Sequence, residues 1–168
     1  MLEISVRDVS ELKAVVLAFA RLENTVRTQI NQATRSAANP IWQGEVQAKV
    51  RTPMDAKILA AGARVKAGNP PVLQAAQSTR AIGGRLRPAE NWQGWEFGTD
   101  RNKVSTYTRK SKKGGTHKVT RHASKHMPSP TRSGRVVYPA AAGSIPRFAA
   151  LWVQTVVRCV HEAAEGKG

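Results

Sequence analysis

The chain has 168 residues, enough for one domain with a single core, and its 27 Lys and Arg against 11 Asp and Glu give a formal net charge of +16. This balance differs from that of an ordinary near-neutral cytosolic enzyme and predicts attraction to polyanions or to acidic protein surfaces. Aromatic residues make up only 5% of the chain, so we expect a modest core whose stability comes in part from neighbouring subunits.

Cysteine content and hydropathy indicate in which compartment the protein is assembled. The single cysteine, Cys159, excludes an intrachain disulfide and is interpreted as a small buried hydrophobe. No apolar run reaches the roughly 20 residues that a membrane-spanning helix requires, and residues 1–10 lack the pattern of a signal peptide. We therefore expect assembly in a cytoplasm and no membrane partner.

The N-terminal region is predicted to be a short strand followed by a long helix. Residues 2–6 alternate apolar and polar side chains, as a half-buried strand does. Asp8 and Glu11 have the spacing of a helix capping box, and apolar residues then recur every three or four positions. This pattern predicts one amphipathic helix over residues 8–38.

Proline and glycine divide the next region into shorter elements. Asn39-Pro40 is expected to break or kink the long helix, because proline lacks the donor that the helical hydrogen bonds need. A second helical pattern covers residues 41–50. Residues 57–66 and 72–77 are predicted to be strands, with residues 68–71 as the turn between them.

Two further strands are predicted in the second half of the chain. In residues 91–99, Trp95 and Phe97 would share one face of a strand while Glu96 points to the other face. The last strand is predicted at residues 134–139, Gly-Arg-Val-Val-Tyr-Pro.

The final helix is expected to open at Ser144-Ile145-Pro146, since proline is tolerated in a first helical turn. Together these elements predict an α+β fold in which the long N-terminal helix and the C-terminal helix pack on one face of a small, mainly antiparallel sheet. We expect a single domain over residues 1–168, with an extended basic loop at residues 101–135 inserted between the last strands.

This basic loop contains eleven Lys or Arg and no acidic residue, so it holds most of the excess charge. Around Gly114-Gly115, residues 104–109 and 116–121 carry enough Val, Thr and Tyr to predict a hairpin with basic side chains on both faces. Without an apolar face such a hairpin cannot fold alone. It is therefore either flexible until assembly or held against another chain or nucleic acid.

Cations in the loop are the candidate contacts to a partner. Only one aromatic residue, Tyr107, lies among these cations. This argues against a protein that binds single-stranded nucleic acid, because such proteins stack the bases on several aromatic side chains. Two alternatives stay open, namely sequence-independent contact with the phosphates of double-stranded DNA and docking against an acidic protein surface. The candidate DNA-facing or partner-docking residues are Arg109, Lys110, Lys112, Lys113, Lys118, Arg121 and Lys125.

Residues that could carry catalysis or bind a metal are scarce. The acids of residues 56–135 are expected to form ion pairs with arginine, and they are Glu90, Glu96 and Asp100. The histidines of the basic loop have no Cys or acid close enough in the sequence to complete a zinc site, and they are His117, His122 and His126. We therefore predict no enzyme, no metal site and no cofactor.

Two short stretches lie on either side of the basic loop. The first is Trp95-Glu96-Phe97-Gly98-Thr99, and the second is Tyr138-Pro139-Ala140-Ala141, which leads into the C-terminal amphipathic helix. Together they resemble the tail-completion or neck proteins of siphophages, the minor head-tail joining proteins. That family has a strand ending in Glu-Phe-Gly-Thr and a proline-bearing segment before the last helix. The resemblance covers residues 8–50 and 91–164, and this chain departs from it in its longer basic insert.

The resemblance implies a homo-oligomeric ring that joins head to tail around the channel through which DNA leaves. Its implied partners are other copies of the chain, other neck proteins, the portal or adaptor, and the tail tube. In this interpretation Trp95 and Phe97 anchor a strand, and Gly98 permits the turn after it. Pro139 ends the last strand, and Glu96 is free to face an arginine of a neighbouring subunit.

We therefore expect a non-enzymatic structural protein of a phage virion, assembled in the host cytoplasm. Its place in the neck, as tail terminator, stopper or completion factor, stays open. The alternative from another class is a nucleic-acid-binding protein without sequence preference, of the packaging or ribosome-associated type. An enzyme acting on nucleic acid is a distant third, because metal-holding acids are missing.

Overall fold

A computed structural model of the chain describes residues 2–5, 12–84, 86–122 and 126–166. These residues form a mixed helix-and-sheet fold, as predicted. In chain order the elements are strand β1 (Leu2–Ser5), helices α1 (Lys13–Arg21), α2 (Asn24–Lys49) and α3 (Pro53–Ile58), strands β2 (Arg64–Lys66) and β3 (Val72–Ala75), helix α4 (Pro88–Glu96), strands β4 (Val104–Lys110) and β5 (Thr116–His122), and helix α5 (Val137–Ala164).

The central sheet has three antiparallel strands in the order β1-β3-β2, so β3 is the middle strand. Gln74 on β3 lies opposite Glu3 on one side and Arg64 on the other. Its side chain donates to Glu3 Oε1 at 2.6 Å and accepts from Arg64 Nε at 2.7 Å, which links all three strands. The strands predicted within residues 2–6 and 72–77 are confirmed.

The strand predicted at residues 57–66 is wrong over most of its length, because only its end forms β2. Helix α3 lies before it, and a capping box stabilises the start of this helix. The Asp55 N–H donates to the Thr52 hydroxyl at 3.1 Å, and the Thr52 N–H donates to the Asp55 carboxylate at 3.0 Å. Pro53 occupies the first turn, where its missing N–H costs nothing, so the local sequence favours a helix here.

Helices α2 and α5 pack against each other and against the sheet, as predicted for the two long helices. Trp42 of α2 is fully buried in this core. Its ring lies edge-on to Phe148 of α5, with 6.2 Å between the centroids, and its Nε1 donates to the Gln74 carbonyl at 2.8 Å. One residue therefore joins both helices and the middle strand.

A second apolar cluster lies between α1, α2 and α5. Phe19 of α1 packs on Trp152 of α5, with 6.0 Å between the ring centroids. Cys159 is buried in the same cluster, which confirms its interpretation as a small hydrophobe. Among the residues that the structure describes, no helix combines the length and the hydropathy needed to cross a membrane.

The helix does not break at Asn39-Pro40, because α2 continues through Pro40, and the alternative outcome of a kink stays a prediction. A proline inside a helix costs about 3 kcal/mol. The buried stripe of α2 includes Ile30, Trp42 and Val46, and burying each such side chain contributes about 1.5–3 kcal/mol. Burial of the whole stripe therefore outweighs the cost of one lost hydrogen bond.

The break in the N-terminal helical region comes earlier, at Leu22 and Glu23 between α1 and α2. Both residues have extended backbone angles, and Arg27 Nε donates to the Leu22 carbonyl at 2.6 Å. The predicted capping box of Asp8 and Glu11 lies outside the described residues.

The strands predicted at residues 91–99 and 134–139 are wrong, since these regions contribute to α4 and α5. Pro88 and Pro139 each lie in a first helical turn, where proline is compatible with helix geometry. Helix α5 therefore begins before the predicted start, and Pro139 helps to begin a helix instead of ending a strand. The basic segment 101–135 joins two helices and is not inserted between strands.

Strands β4 and β5 form a separate antiparallel pair within this basic segment. Their register runs from the pair Val104↔His122 to the pair Lys110↔Thr116. The predicted hairpin is confirmed, and each strand is one residue longer than expected.

Candidate functional site: a basic hairpin and its anchor

The hairpin of β4 and β5 is exposed on both faces. Every residue of its two strands is exposed except Val119, which is half-buried. The surrounding segment 101–135 contains no acid that could neutralise its cations within the loop. The fold thus presents a concentrated positive charge to solvent, which attracts polyanions.

Six of the seven predicted contact residues lie on this hairpin. Those on the strands are Arg109, Lys110, Lys118 and Arg121, and those in the turn are Lys112 and Lys113. The turn is closed by the Ser111 N–H, which donates to the Gly115 carbonyl at 2.7 Å. The seventh residue, Lys125, lies outside the described residues.

The strand register sorts the side chains onto two faces. Neighbours along a strand point to opposite faces, and residues directly opposite each other on two strands share a face. One face, the Arg face, consists of Ser105, Tyr107, Arg109, His117, Val119 and Arg121. The other, the Lys face, consists of Val104, Thr106, Thr108, Lys110, Thr116, Lys118, Thr120 and His122.

Side-chain contacts differ between the two faces. On the Arg face, the Arg121 guanidinium lies over the Tyr107 ring, with Cζ 5.8 Å from the centroid. On the Lys face, the hydroxyls of Thr106 and Thr120 lie 3.2 Å apart and hydrogen-bond across the strands. The Arg face therefore has one cation held by an aromatic ring. On the Lys face, two hydroxyls are already occupied by the hydrogen bond between them.

The loop histidines do not converge on one point of the hairpin. His117 belongs to the Arg face and His122 to the Lys face, while His126 follows the hairpin. Within residues 2–5, 12–84, 86–122 and 126–166, no three His, Cys, Asp or Glu side chains are grouped so that they could hold a metal ion.

The ends of the basic segment are held together beside helix α4. The Thr99 N–H donates to the Pro128 carbonyl at 3.1 Å, and the Thr131 N–H donates to the Phe97 carbonyl at 2.7 Å. Gly98 lies between these bonds with a φ of 74°, and a Cβ there would lie 2.2 Å from the Ser129 carbonyl oxygen. Only glycine allows such a close approach of the two backbones.

Glu96 takes part in the same junction, and its predicted role is wrong. Its side chain is fully buried instead of facing a neighbouring subunit. Its carboxylate accepts hydrogen bonds from the Tyr138 N–H at 2.9 Å and from the Val136 N–H at 3.2 Å. Gly134, with a φ of 77°, leaves room for it, because a Cβ there would lie 2.5 Å from Glu96 Oε1. Glu96 therefore places a negative charge at the positive N-terminus of α5.

Trp95 directs a hydrogen bond to the opposite side of the junction. Its Nε1 donates to Asp55 Oδ1 at 2.8 Å, and Arg135 Nη2 lies 3.7 Å from Asp55 Oδ2. Burial raises the pKa of the Asp55 carboxyl, but hydrogen bonds from Trp95 and Thr52, the Arg135 charge and the Arg51 N–H together lower this pKa below its ordinary value of 3.8. The sequence interpretation missed Asp55, although its spacing from Thr52 is that of a capping box.

An aromatic contact completes the junction. The Phe97 ring packs edge-on against the Tyr138 ring, with 5.0 Å between the centroids and 60° between the planes, and its centroid lies 6.4 Å from that of Trp92. We call this junction the anchor, defined by Asp55, Trp95, Glu96, Phe97, Gly98, Thr99, Gly134 and Tyr138. The two stretches that carry the sequence resemblance thus meet in space at the base of the basic hairpin.

The remaining acids of this region have different roles. Glu90 forms an ion pair with Arg87 at 3.2 Å, as predicted. Asp100 accepts a hydrogen bond from the Asn102 N–H at 2.9 Å. Of the three acids that were expected to pair with arginine, Glu96 contradicts the expectation, because backbone N–H groups of α5 occupy its carboxylate.

Comparisons of the chain with known protein families, with curated proteins and with solved structures find no match.

Proposed function

We propose that the protein is a non-enzymatic structural subunit of a phage virion, a component of the homo-oligomeric ring that joins the head to the tail around the DNA channel. The observation that carries this proposal is the anchor. The Trp95-to-Thr99 stretch and Tyr138, on which the resemblance to siphophage neck proteins rests, contact each other at the base of the hairpin. The anchor then serves to hold a long cationic hairpin on a compact body.

The proposed ring needs surfaces that adjacent subunits can cover. Leu17 on α1 and Val157 on α5 are 62% and 61% exposed, and burying them against a neighbouring subunit would remove apolar surface from water. Strands β1 and β2 are the outer strands of the sheet, so each has an edge without a strand partner among the described residues. Both features favour contacts between copies of the chain.

The positive charge suits a position beside packaged DNA. Hairpin cations would lie near the channel or against an acidic surface of the next ring, the portal, the adaptor or the tail tube. The tail terminator, the stopper and the completion factor are all compatible positions for such a subunit. In each of them the protein works by assembly and not by catalysis, and its location is the virion.

Removal of the protein from the phage that encodes it tests the proposal. Negative-stain images should then show filled heads without tails and free tails without heads, and complementation should restore joined particles. Joined, infectious particles in the absence of the protein would reject the proposal. On purified protein, size-exclusion chromatography with light scattering should detect a ring, and a strict monomer at high concentration and with neck partners would also count against it.

The second candidate is a nucleic-acid-binding protein without sequence preference that works outside a virion. The exposed hairpin, with cations on both faces, is the observation that favours it. It predicts that the protein binds host or phage DNA in cells and is missing from mature particles. Mass spectrometry of purified virions separates the two candidates, since a stoichiometric ring protein is retained in every particle.

A further inference from the structure

The two faces of the hairpin carry equal charge but different chemistry. Each face has two residues of Lys or Arg and one His. Net charge alone therefore gives no preference between the faces for a polyanion. A preference has to come from the hydrogen bonds that the cations donate and from how the cations are held.

Both cations of the Arg face are guanidinium groups. A guanidinium donates two parallel hydrogen bonds to a phosphate and is more weakly hydrated than an ammonium group. Arg121 lies over the Tyr107 ring, so part of its side-chain freedom is already lost before a ligand binds. Tyr107 itself is 41% exposed, which leaves its ring and hydroxyl accessible beside the guanidinium.

The spacing of the two arginines fits a duplex. Arg121 on β5 lies opposite Ser105 on β4. Ser105 is four residues from Arg109 along β4, so the two arginines are four positions apart along the hairpin. At about 3.3 Å per residue, the two positions are about 13 Å apart along the hairpin. The major groove of B-DNA is about 12 Å wide and admits a two-stranded ribbon. A hairpin that crosses the groove therefore brings the two guanidinium groups to phosphates of the two strands that border it.

The Lys face lacks these features. Its cations, Lys110 and Lys118, are flexible point charges that bind phosphate without a fixed geometry. The Thr106 and Thr120 hydroxyls between them already bond to each other. This face adds to the electrostatic field of the hairpin, but it offers no preformed pair of phosphate donors.

We infer that the Arg face is the surface with which the hairpin binds double-stranded DNA, through phosphate contacts of Arg109 and Arg121 on either side of Tyr107. This inference deepens the proposed function, since it rests on a ring that brings DNA to the hairpin. An acidic protein is the less suitable partner, because protein interfaces need an apolar centre and mixed polar pairs. The Arg face has only Tyr107 and Val119 as apolar side chains and no acid.

A pair of matched double variants tests the inference on the full-length chain. R109A/R121A and K110A/K118A each remove two positive charges from exposed hairpin positions and leave the anchor untouched. R109K/R121K keeps the charge and removes the guanidinium. Fluorescence anisotropy with a labelled duplex of arbitrary sequence measures affinity between about 50 and 200 mM salt. Thermal melting should be the same for all three variants and the wild type, which shows that each is folded.

The expected losses differ in size between the faces. R109A/R121A should lose about tenfold or more in affinity, and its log–log salt slope should fall by roughly 2, the value for two lost phosphate contacts. K110A/K118A should lose about threefold or less. R109K/R121K should lie between R109A/R121A and the wild type. Equal losses in the two alanine variants, or full affinity in the lysine variant, would overturn the inference.

The outcome for DNA binding is distinct from the outcome for virion assembly. Wild-type protein that joins heads to tails but shows no salt-dependent duplex binding would overturn the inference, and would point to an acidic protein surface as the partner of the hairpin. Protein that binds duplex through the Arg face, in a phage whose particles join without it, would support the inference and reject the proposed ring.

Discussion

The Glu96 carboxylate accepts a hydrogen bond from the Tyr138 backbone N–H at 2.9 Å, across 42 positions of sequence. This bond joins the end of α4 to the start of α5, and the basic hairpin lies between the two helices in the chain. A buried charge replaces the missing side-chain cap of α5, since Val136 at the N-cap position cannot accept a hydrogen bond with its side chain. The orientation of the hairpin and the start of the longest helix therefore depend on the same carboxylate.

Replacing Glu96 should destabilise the protein strongly. Glu96→Ala leaves the N–H groups of Val136 and Tyr138 buried or half-buried without an acceptor, so we expect a loss of about 2–4 kcal/mol in the free energy of unfolding. Chemical denaturation measures this loss. The control is Glu90→Ala, whose exposed ion pair with Arg87 should contribute less than about 1 kcal/mol. Equal losses in the two variants would contradict the capping role of Glu96.

Gly98→Ala should be more harmful than the same change in the hairpin turn. Gly98 and Gly114 both have positive φ angles, of 74° and 85°, so alanine costs about 1 kcal/mol at either site. At Gly98 alone, the new Cβ would lie 2.2 Å from the Ser129 carbonyl oxygen, and backbone has to move. We expect Gly98→Ala to cost at least about 2 kcal/mol more than Gly114→Ala. Similar denaturation midpoints would show that the backbones at the anchor are not held tightly.

Local patterns in the sequence predicted the elements that local forces determine. The alternation at the N-terminus and the turn residues around Gly114-Gly115 specify β1 and the basic hairpin, because strand periodicity and turn chemistry act over a few residues. Cys159 was predicted as buried because it lies on the apolar face of an amphipathic pattern. In these places the tertiary contacts agree with the local pattern, as the pairing of β1 with β3 shows.

Two of the errors have tertiary causes. Pro40 does not end α2, because burial of Trp42 and its neighbours on α2 outweighs the broken hydrogen bond. Residues 91–99 look like a strand in isolation, yet the helix they mostly form brings Trp95 to Asp55 and Glu96 to the start of α5. Sequence patterns cannot show that a charged residue will be buried against backbone N–H groups 40 positions away.

Acid should destabilise the protein in part through Asp55. The pKa of the Asp55 carboxyl is lower in the folded protein than in the unfolded chain, where it lies near the ordinary value of 3.8. The ionised carboxylate therefore contributes its full stabilisation at pH values above the pKa of the unfolded chain. That contribution is lost as the pH falls through the lowered folded pKa. Asp55→Asn should cost about 2–4 kcal/mol near neutral pH, and the gap to the wild type should narrow below about pH 4. Denaturation at a series of pH values measures both effects.

A partial variant checks the origin of this pH dependence. Trp95→Phe removes one hydrogen-bond donor to Asp55 and keeps the carboxyl, so its profile should lie between those of the wild type and Asp55→Asn. An Asp55→Asn variant whose stability falls with acid as steeply as that of the wild type would show that other groups cause the acid sensitivity.

Shortening the hairpin should separate folding from function. Replacing residues 106–120 by Asn-Gly closes the Ser105↔Arg121 pair with a two-residue turn of the type that antiparallel strands favour. The removed residues are exposed apart from Ser111 and Val119, which are half-buried, so we expect the free energy of unfolding to change by less than about 1 kcal/mol. In the phage, heads should be filled but unjoined, or joined and leaking DNA, and infectivity measures the loss.

A neutral hairpin of full length is the matched control for the shortened one. It carries Gln in place of the cations of the hairpin and keeps every backbone pair of β4 and β5, and the replaced residues are Arg109, Lys110, Lys112, Lys113, Lys118 and Arg121. If charge is what the hairpin supplies, this variant should fail as the shortened one does, because it forms no ionic contacts with phosphate. Normal infectivity of the neutral variant would assign the role to hairpin length, and normal infectivity of both variants would remove the hairpin from the mechanism of joining.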